Sequence, residues 1–469
     1  LVINGKLVAV AKRVPGHVVG DGSHTVAELV DIVNQDPRRG VGHEKVLTRL
    51  ELDYQANQLL EKKGYTAETV LPEGEVCYLR DAANLSTGGT SIDLTDQVHP
   101  DNKEMAERAI KAVGLDVGGV DFLTKDISQS YLEIGGGICE VNAAPGFRMH
   151  THPTEGKFRD AAGAVMDMLF PEAEKARIPT VAITGTNGKT TTSRMVAHLW
   201  KHAGKIVGLT TTDGIYINGK LTVKGDTTGP VSAQMVLRDP NTEIAVLETA
   251  RGGLLRSGLG YEFCNVGTCL NVTADHIDIT EGNGLADLAK VKRIITDAAR
   301  DTAVLNADDI ECLKMAATTE AENIFYVTMN PQHREHIRLG GKAVIIEKGL
   351  NGDMITIFDN QIHIPVLWTH LIPATMEGKA IHNVQNAMFA VAIAYSMGMS
   401  LDDLRNGLRT FVSSYHQTPG RMNFYDEHPF KVLLDYGHNP AAINMIGKFV
   451  DQMQVSGRKT AVVTFPGDR

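Results

Sequence analysis

Cysteine is scarce, with five in 469 residues and none in a CxxC pair. That excludes a disulfide scaffold and points to a reducing compartment, so the expected location is the cytoplasm. A basic excess is lacking too. Lys and Arg number 46 against 56 Asp and Glu, a net charge of −10, whereas a nucleic-acid-binding module shows a basic face. No apolar run approaches the roughly 20 residues of a membrane span. No signal-peptide pattern precedes the first motif, and there is no solenoid-length repeat or low-complexity tract. What remains is ordinary: 43% hydrophobic and 22% charged residues, the usage of globular domains. At roughly 150 residues per domain the length suggests about three domains.

The first strand begins at once. VINGKLVAVAKR reads as a hairpin about Asn4-Gly5, a strong two-residue turn signal. The other end, KTAVVTFPGDR, is a β-branched run closing on Pro-Gly that normally leads into further α/β structure, so the sequence reads as a fragment cut at both ends. A first domain is expected at 1–170; within it residues 1–153 mix short strands with Gly-rich turns, and Thr25-Val26-Ala27-Glu28 announces a helix by a capping box. A helix is expected at 158–169, followed by a linker at 171–179 between Pro171 and Pro179. Thereafter apolar β-rich runs alternate with helical patterns: VAIT (181–184), EIAVLE (243–248), NVGTCLNV (265–272) and TAVLN (302–306). Such alternation predicts a mostly parallel sheet covered by helices, within a domain at 180–415. Residues 341–368 read as an added β-meander, Asn386 to Met397 as a buried helix, and PFKVLLD (429–435) as the opening of a further α/β unit at 416–469.

The strongest motif is VAITGTNGKTTTS, a strand, a glycine-rich turn and a helix start. Within it Gly185, Thr186, Asn187, Gly188, Lys189, Thr190 and Thr191 form a phosphate-binding loop shorter than the ordinary Walker pattern. Glycines at 185 and 188 let successive N–H groups turn toward one point, where a helix N-terminus adds its dipole. Lys189 would bring a compact positive charge to the β/γ-phosphates, and the Thr190 hydroxyl suits Mg²⁺. The loop binds a nucleoside triphosphate.

TGTNGKTTT resembles the ATP site of the Mur ligases and folylpolyglutamate synthetases, which join an amine to a carboxylate through an acyl phosphate. The resemblance implies further landmarks in order. Glu248 in LETARGG would complete the Mg²⁺ site begun by Thr190. Asp275-His276 in NVTADHID matches an Asp-His pair whose histidine binds a second Mg²⁺. Lys292 in LAKVKRII aligns with a lysine carbamylated in many Mur ligases. Asn386 in HNVQN would serve the adenine pocket, although it could instead cap the helix after it. Arg421 in PGRMN and Asp435 in DYGHNP match ATP-contacting positions. Lys189, Lys292 and His276 are the expected catalytic residues of this half.

Ahead of the loop, GGVDFL and YLEIGGGICEVNAAPGFR resemble the C-terminal half of an ATP-grasp domain. Residues i and i+2 of a strand face one side, so Glu140 and Asn142 can present oxygens to one metal site. Asp121 on a neighbouring strand would supply another hard ligand of the kind Mg²⁺ prefers. Asn84, Gly88 and Gly89 in NLSTGGTSID are candidate substrate contacts, and Arg148 a catalytic carboxylate fork for the acceptor. The phosphate-holding lysines of the first half of an ATP-grasp domain, and its adenine hinge, have no counterpart here. Little aspartate-adding activity is therefore expected of this chain alone, and because the C-terminal domain stops at PGDR with its lid over the ATP unfinished, arginine addition is expected to be impaired too.

The expected fold class is α/β: a partial ATP-grasp α+β domain, then a Mur ligase-like P-loop α/β central domain and a truncated Rossmann-like C-terminal α/β domain. This pairing resembles the family of ATP-dependent ligases that build multi-L-arginyl-poly-L-aspartate without a template. It implies ATP and Mg²⁺ as cofactors; L-aspartate, L-arginine and the growing polymer or its primer as partners; and a homo-oligomer that binds neither nucleic acid nor membrane. Aspartate would be added by the ATP-grasp domain and arginine by the Mur-like domain. The alternatives are another Mur or folylpolyglutamate-type amide ligase, or a nucleotide-binding relative without catalysis.

Overall fold

A computed structural model describes residues 1–469 except 43, 172–175, 274–283, 331–332, 334–340 and 465–469. Asp275 and His276 lie outside the described residues. The chain divides into two compact units, Leu1–Ala176 and Arg177–Arg469, within the segment 171–179 that reads as a linker.

In the first unit the hairpin forms as the turn chemistry requires. β1 (Val2–Ile3) and β2 (Lys6–Leu7) pair antiparallel, with φ of 50° at Asn4 and 71° at Gly5, the two positive values of the hairpin turn that matches strand twist. β3 (Ala11–Val14) follows, then α1 (Val26–Asn34), opened by a complete capping box between Thr25 and Glu28. β3 pairs with β4 (Thr90–Asp93). α2 (Pro100–Val113) leads to β5 (Val117–Thr124) and β6 (Gly136–Asn142). Their sheet runs β6-β5-β1-β2. α3 spans Ala161–Leu169, later than the expected 158, because the side chain of Asp160 caps it by accepting from the Gly163 amide.

The second unit is built on one eleven-stranded sheet of described residues. Its strands are β7 (Thr180–Thr184), β8 (Val207–Thr211), β9 (Gly214–Ile217), β10 (Lys220–Lys224), β11 (Ile244–Glu248), β12 (Cys264–Cys269), β13 (Ala299–Asn306), β14 (Asn323–Thr328), β15 (Lys342–Gly349), β16 (Gly352–Asp359) and β17 (Ile362–Trp368). The order across it is β10-β9-β8-β11-β7-β12-β13-β14-β15-β16-β17. Pairs from β8 through β15 are parallel, and the two flanks are antiparallel. β7 and β11 are buried at every residue, the continuous apolar reading of a strand covered on both faces. The meander at 341–368 is part of this sheet, since β15 pairs parallel with β14.

Helices α4 (Lys189–His202), α5 (Pro230–Arg238), α6 (Arg251–Ser257), α7 (Leu285–Asp297) and α8 (Ile310–Met315) connect these strands. α9 (Ile381–Ser396) and α10 (Leu401–Thr410) precede a two-stranded sheet of β18 (Asn423–Tyr425) and β19 (Val432–Leu434), and then α11 (Pro440–Gln452). α9 begins at Ile381 rather than Asn386, so Asn386 does not cap it. Asn383 and Asn386 have the look of cap residues, but both are buried inside the helix. The Asn383 amide donates to the Ala374 carbonyl at 2.8 Å, and Asn386 donates to Asn383 at 3.2 Å. One core cluster joins α9 to the sheet, with Met388 and Phe389 among Val304, Phe325 and Val344.

Candidate active site

The loop after β7 sits where strand order reverses, since β7 lies between β11 and β12. In open α/β sheets the crevice beyond such strand ends is where ligands bind. Gly188 has φ +86° and stands at the N-cap of α4. A Cβ there would lie 2.5 Å from Asn386 Oδ1, so only glycine fits between loop and α9. The loop is also held from outside. Asn271 Oδ1 accepts from the Thr186 and Asn187 amides at 3.1 and 2.8 Å. Asn439 Nδ2 donates to Asn187 Oδ1 at 2.8 Å. Thr192 Oγ1 donates to Asn386 Oδ1 at 3.3 Å.

Lys189 Nζ donates to the carbonyls of Gly185 and Thr186 at 3.0 and 2.9 Å. Lys292, 3% exposed, donates to the same Gly185 carbonyl at 2.8 Å. Two ammonium groups thus converge beneath the loop. Across from them Thr190 Oγ1 donates to Glu248 Oε1 at 3.1 Å and lies 3.2 Å from Thr212 Oγ1. The Thr212 amide donates to Glu248 Oε2 at 3.3 Å. Glu248 is 2% exposed. Burial pushes its carboxyl above the usual range, against the charge of Lys189 and the Thr190 hydrogen bond. Hard oxygen donors converging on a buried acid fit Mg²⁺.

All of this opens on a cavity of about 810 Å³. The seven loop residues from Gly185 to Thr191 line it, and so do Glu248, Lys292, Asn386, Arg421 and Asp435. Arg421 stacks on Tyr436, its guanidinium carbon 4.6 Å from the ring centre. Asp435 accepts from the Met422 amide at 2.9 Å and the Gly437 amide at 2.7 Å, which fixes the turn carrying Arg421. Sequence reasoning did not single out Thr212, Asp226, Asn271 or Asn439. None stands in the loop motif, and each reaches the site from a distant segment.

In the first unit, β5 and β6 place Asp121 directly opposite Glu140, and Asn142 opposite Gly119. Glu140 is exposed, whereas Asp121 accepts from Arg13 Nη2 at 2.7 Å. Among the described residues no group of three His, Cys, Asp or Glu side chains has metal-site geometry. Asn84 and Arg148 line a smaller cavity of about 180 Å³ with Arg13 and Ser86. Gly88 and Gly89 are not among its lining residues. Close packing accounts for both: a Cβ on Gly88 would lie 2.5 Å from Leu50, and one on Gly89 2.8 Å from the carbonyls of Asn84 and Val14.

Residues 183–394 match the Mur ligase middle domain. Over its whole length the chain resembles cyanophycin synthetase. It is 50% identical over 484 aligned positions to the cyanophycin synthetase of Trichormus variabilis, covering all of this chain and 52% of that protein. The chain therefore spans about half the length of the curated relatives it matches. The glutathione biosynthesis bifunctional protein GshAB of Clostridium perfringens is 38% identical over 170 positions, 36% of this chain and 22% of that one. A solved structure of UDP-N-acetylmuramoyl-L-alanyl-D-glutamate–2,6-diaminopimelate ligase is 21% identical, with a TM-score of 0.44 over 62% of this chain and 57% of its own. No helix among the described residues is long and apolar enough to cross a membrane.

Proposed function

We propose that this chain is part of an ATP-dependent amide ligase of the cyanophycin synthetase type, which acts in the cytoplasm on L-aspartate, L-arginine and a cyanophycin primer or polymer. The unit Arg177–Arg469 would join arginine to the aspartate side chain, and Leu1–Ala176 would contribute to aspartate addition to the backbone. The observation that carries this reading is the juxtaposition in one cavity of the glycine loop, Lys189 and the buried Thr190–Glu248 pair.

A free carboxylate resists amines because its charge is delocalised and its leaving group would be an oxide. ATP removes that obstacle: a carboxylate oxygen attacks the γ-phosphorus, giving an acyl phosphate and ADP. The amine then attacks the carbonyl and phosphate leaves. The loop amides would hold the phosphates, with Lys189 released from its own carbonyls to meet them. Thr190 and Glu248 would hold Mg²⁺, which offsets charge on the transferring phosphoryl group. Asn386 braces the loop against α9, and the Arg421–Tyr436 stack borders the cavity. In the first unit Asp121, Glu140 and Asn142 would serve the metal, with Asp121 exchanging Arg13 for it, and Arg148 would receive the acceptor carboxylate.

Lys189→Ala tests the loop assignment. A charge-assisted contact is worth about 1.5–3 kcal/mol, so ATP affinity by calorimetry should fall roughly tenfold to hundredfold. Arginine addition should be abolished with it. Retention of the parental rate would refute the assignment. Phosphate release that requires both arginine and a poly-aspartate primer would separate this function from another Mur-type ligase and from a non-catalytic nucleotide binder.

A further inference from the structure

Three acids among the described residues line the large cavity: Glu248, Asp435 and Asp226. Two are committed. Glu248 takes Thr190 on one oxygen and the Thr212 amide on the other. Asp435 spends both oxygens on backbone amides. Asp226 differs. Its Oδ1 accepts from the Thr228 amide at 3.2 Å and from the Thr228 hydroxyl at 2.7 Å, and its Oδ2 has no partner among the described residues. Five cationic side chains line the same cavity, Lys189, Lys292, Arg251, Arg256 and Arg421, yet Asp226 pairs with none of them.

Asp226 is exposed, and the backbone on either side of it is held in place. Gly225, at φ +129°, turns the chain out of β10, and its amide donates to the Asp213 carbonyl at 3.1 Å. The Thr227 amide and hydroxyl both donate to the Thr211 carbonyl, at 3.1 and 2.7 Å. Thr211 is followed by Thr212, which touches Thr190 and Glu248. Asp226 is therefore fixed with respect to the phosphate end of the cavity without being part of it. A preorganised carboxylate with one open oxygen is suited to a cation on the substrate, and a guanidinium fork is the cation it binds best.

We propose that Asp226 is a specificity-determining residue of this site, its Oδ2 receiving the guanidinium of arginine; this rests on the arginine-adding function proposed above. Two sources present that group: free arginine, and arginine already attached to the polymer.

Steady-state kinetics of the full-length protein that contains this chain, and of its Asp226→Asn variant, tests this. Asparagine keeps an Oδ1 for Thr228 and removes the charge. The expected result is a rise of about tenfold to hundredfold in one KM, with kcat and the KM for ATP within about threefold. A rise in the KM for arginine, with discrimination against lysine lost, identifies the incoming amino acid as the occupant. A rise in the KM for an arginine-bearing primer, but not for bare poly-aspartate, identifies the polymer. Asp226→Glu should restore part of the loss. Unchanged KM values for both substrates overturn the inference, and so does a fall in kcat alone. A parent that consumes ATP but never ligates arginine overturns the function reading itself, and Asp226 loses its assignment with it.

Discussion

His150 shows how one buried side chain sets a pH dependence. It is 7% exposed, and burial pulls its pKa down to about 4, opposed by Asp93. Unfolded, the same imidazole titrates near the ordinary 6.5. Between those values the unfolded chain binds a proton that the folded chain refuses, so stability rises with pH there. The contribution is complete above 6.5 and is lost as pH falls through 4. A shift of this size is worth about 3 kcal/mol. Denaturant unfolding at pH 7, 5.5 and 4 should show a steep loss in the parent and a shallower one in His150→Gln. Equal slopes would remove His150 from the account. At this scale the phosphate loop was legible because its residues are contiguous and their chemistry is local. Asn271, Thr212 and Asp226 were not, because an asparagine, a threonine or an aspartate acquires such a role only from what the sheet brings beside it.

Among the elements, α8 carries a brace for the loop. Asp309 Oδ1 caps that helix by accepting from the Glu311 and Cys312 amides at 2.9 and 3.1 Å. Its Oδ2 accepts from the Val272 amide at 2.7 Å. Val272 follows Asn271, which holds the Thr186 and Asn187 amides. Asp309→Ala should cost about 1–2 kcal/mol as a lost cap and weaken ATP binding several-fold, since Asn271 loses its anchor. Thermal melting and calorimetry read the two effects separately; an unchanged ATP affinity would confine Asp309 to capping. The strands around this loop were readable as unbroken apolar runs, the mark of a sheet covered on both faces. The start of α9 was not. Polar Asn383 and Asn386 imitate a cap, and only their burial against Ala374 and the loop shows that the helix has already begun. The meander was recognised, but its membership of the large sheet depends on β14 pairing with β15, which local sequence does not encode.

For the whole molecule, the division into two units would make the two additions of the proposed function separable by mutation. Glu140 stands on β6 in the first unit, and Lys189 opens α4 in the second. If each unit uses its own ATP, removing a ligand at one should spare chemistry at the other. In the protein that carries both activities, Glu140→Gln should lower aspartate-dependent phosphate release at least about a hundredfold, the scale of a lost charge-stabilising group. Arginine-dependent release on a preformed poly-aspartate primer should stay within about twofold. Lys189→Ala should give the opposite pattern. Primers ending in bare aspartate or in an arginine-bearing residue isolate each half-reaction, so a variant that fails to fold would be seen as loss of both. Should either well-folded variant abolish both additions, one shared nucleotide site would have to serve them, and the assignment of Asp121, Glu140 and Asn142 to a second site would fall.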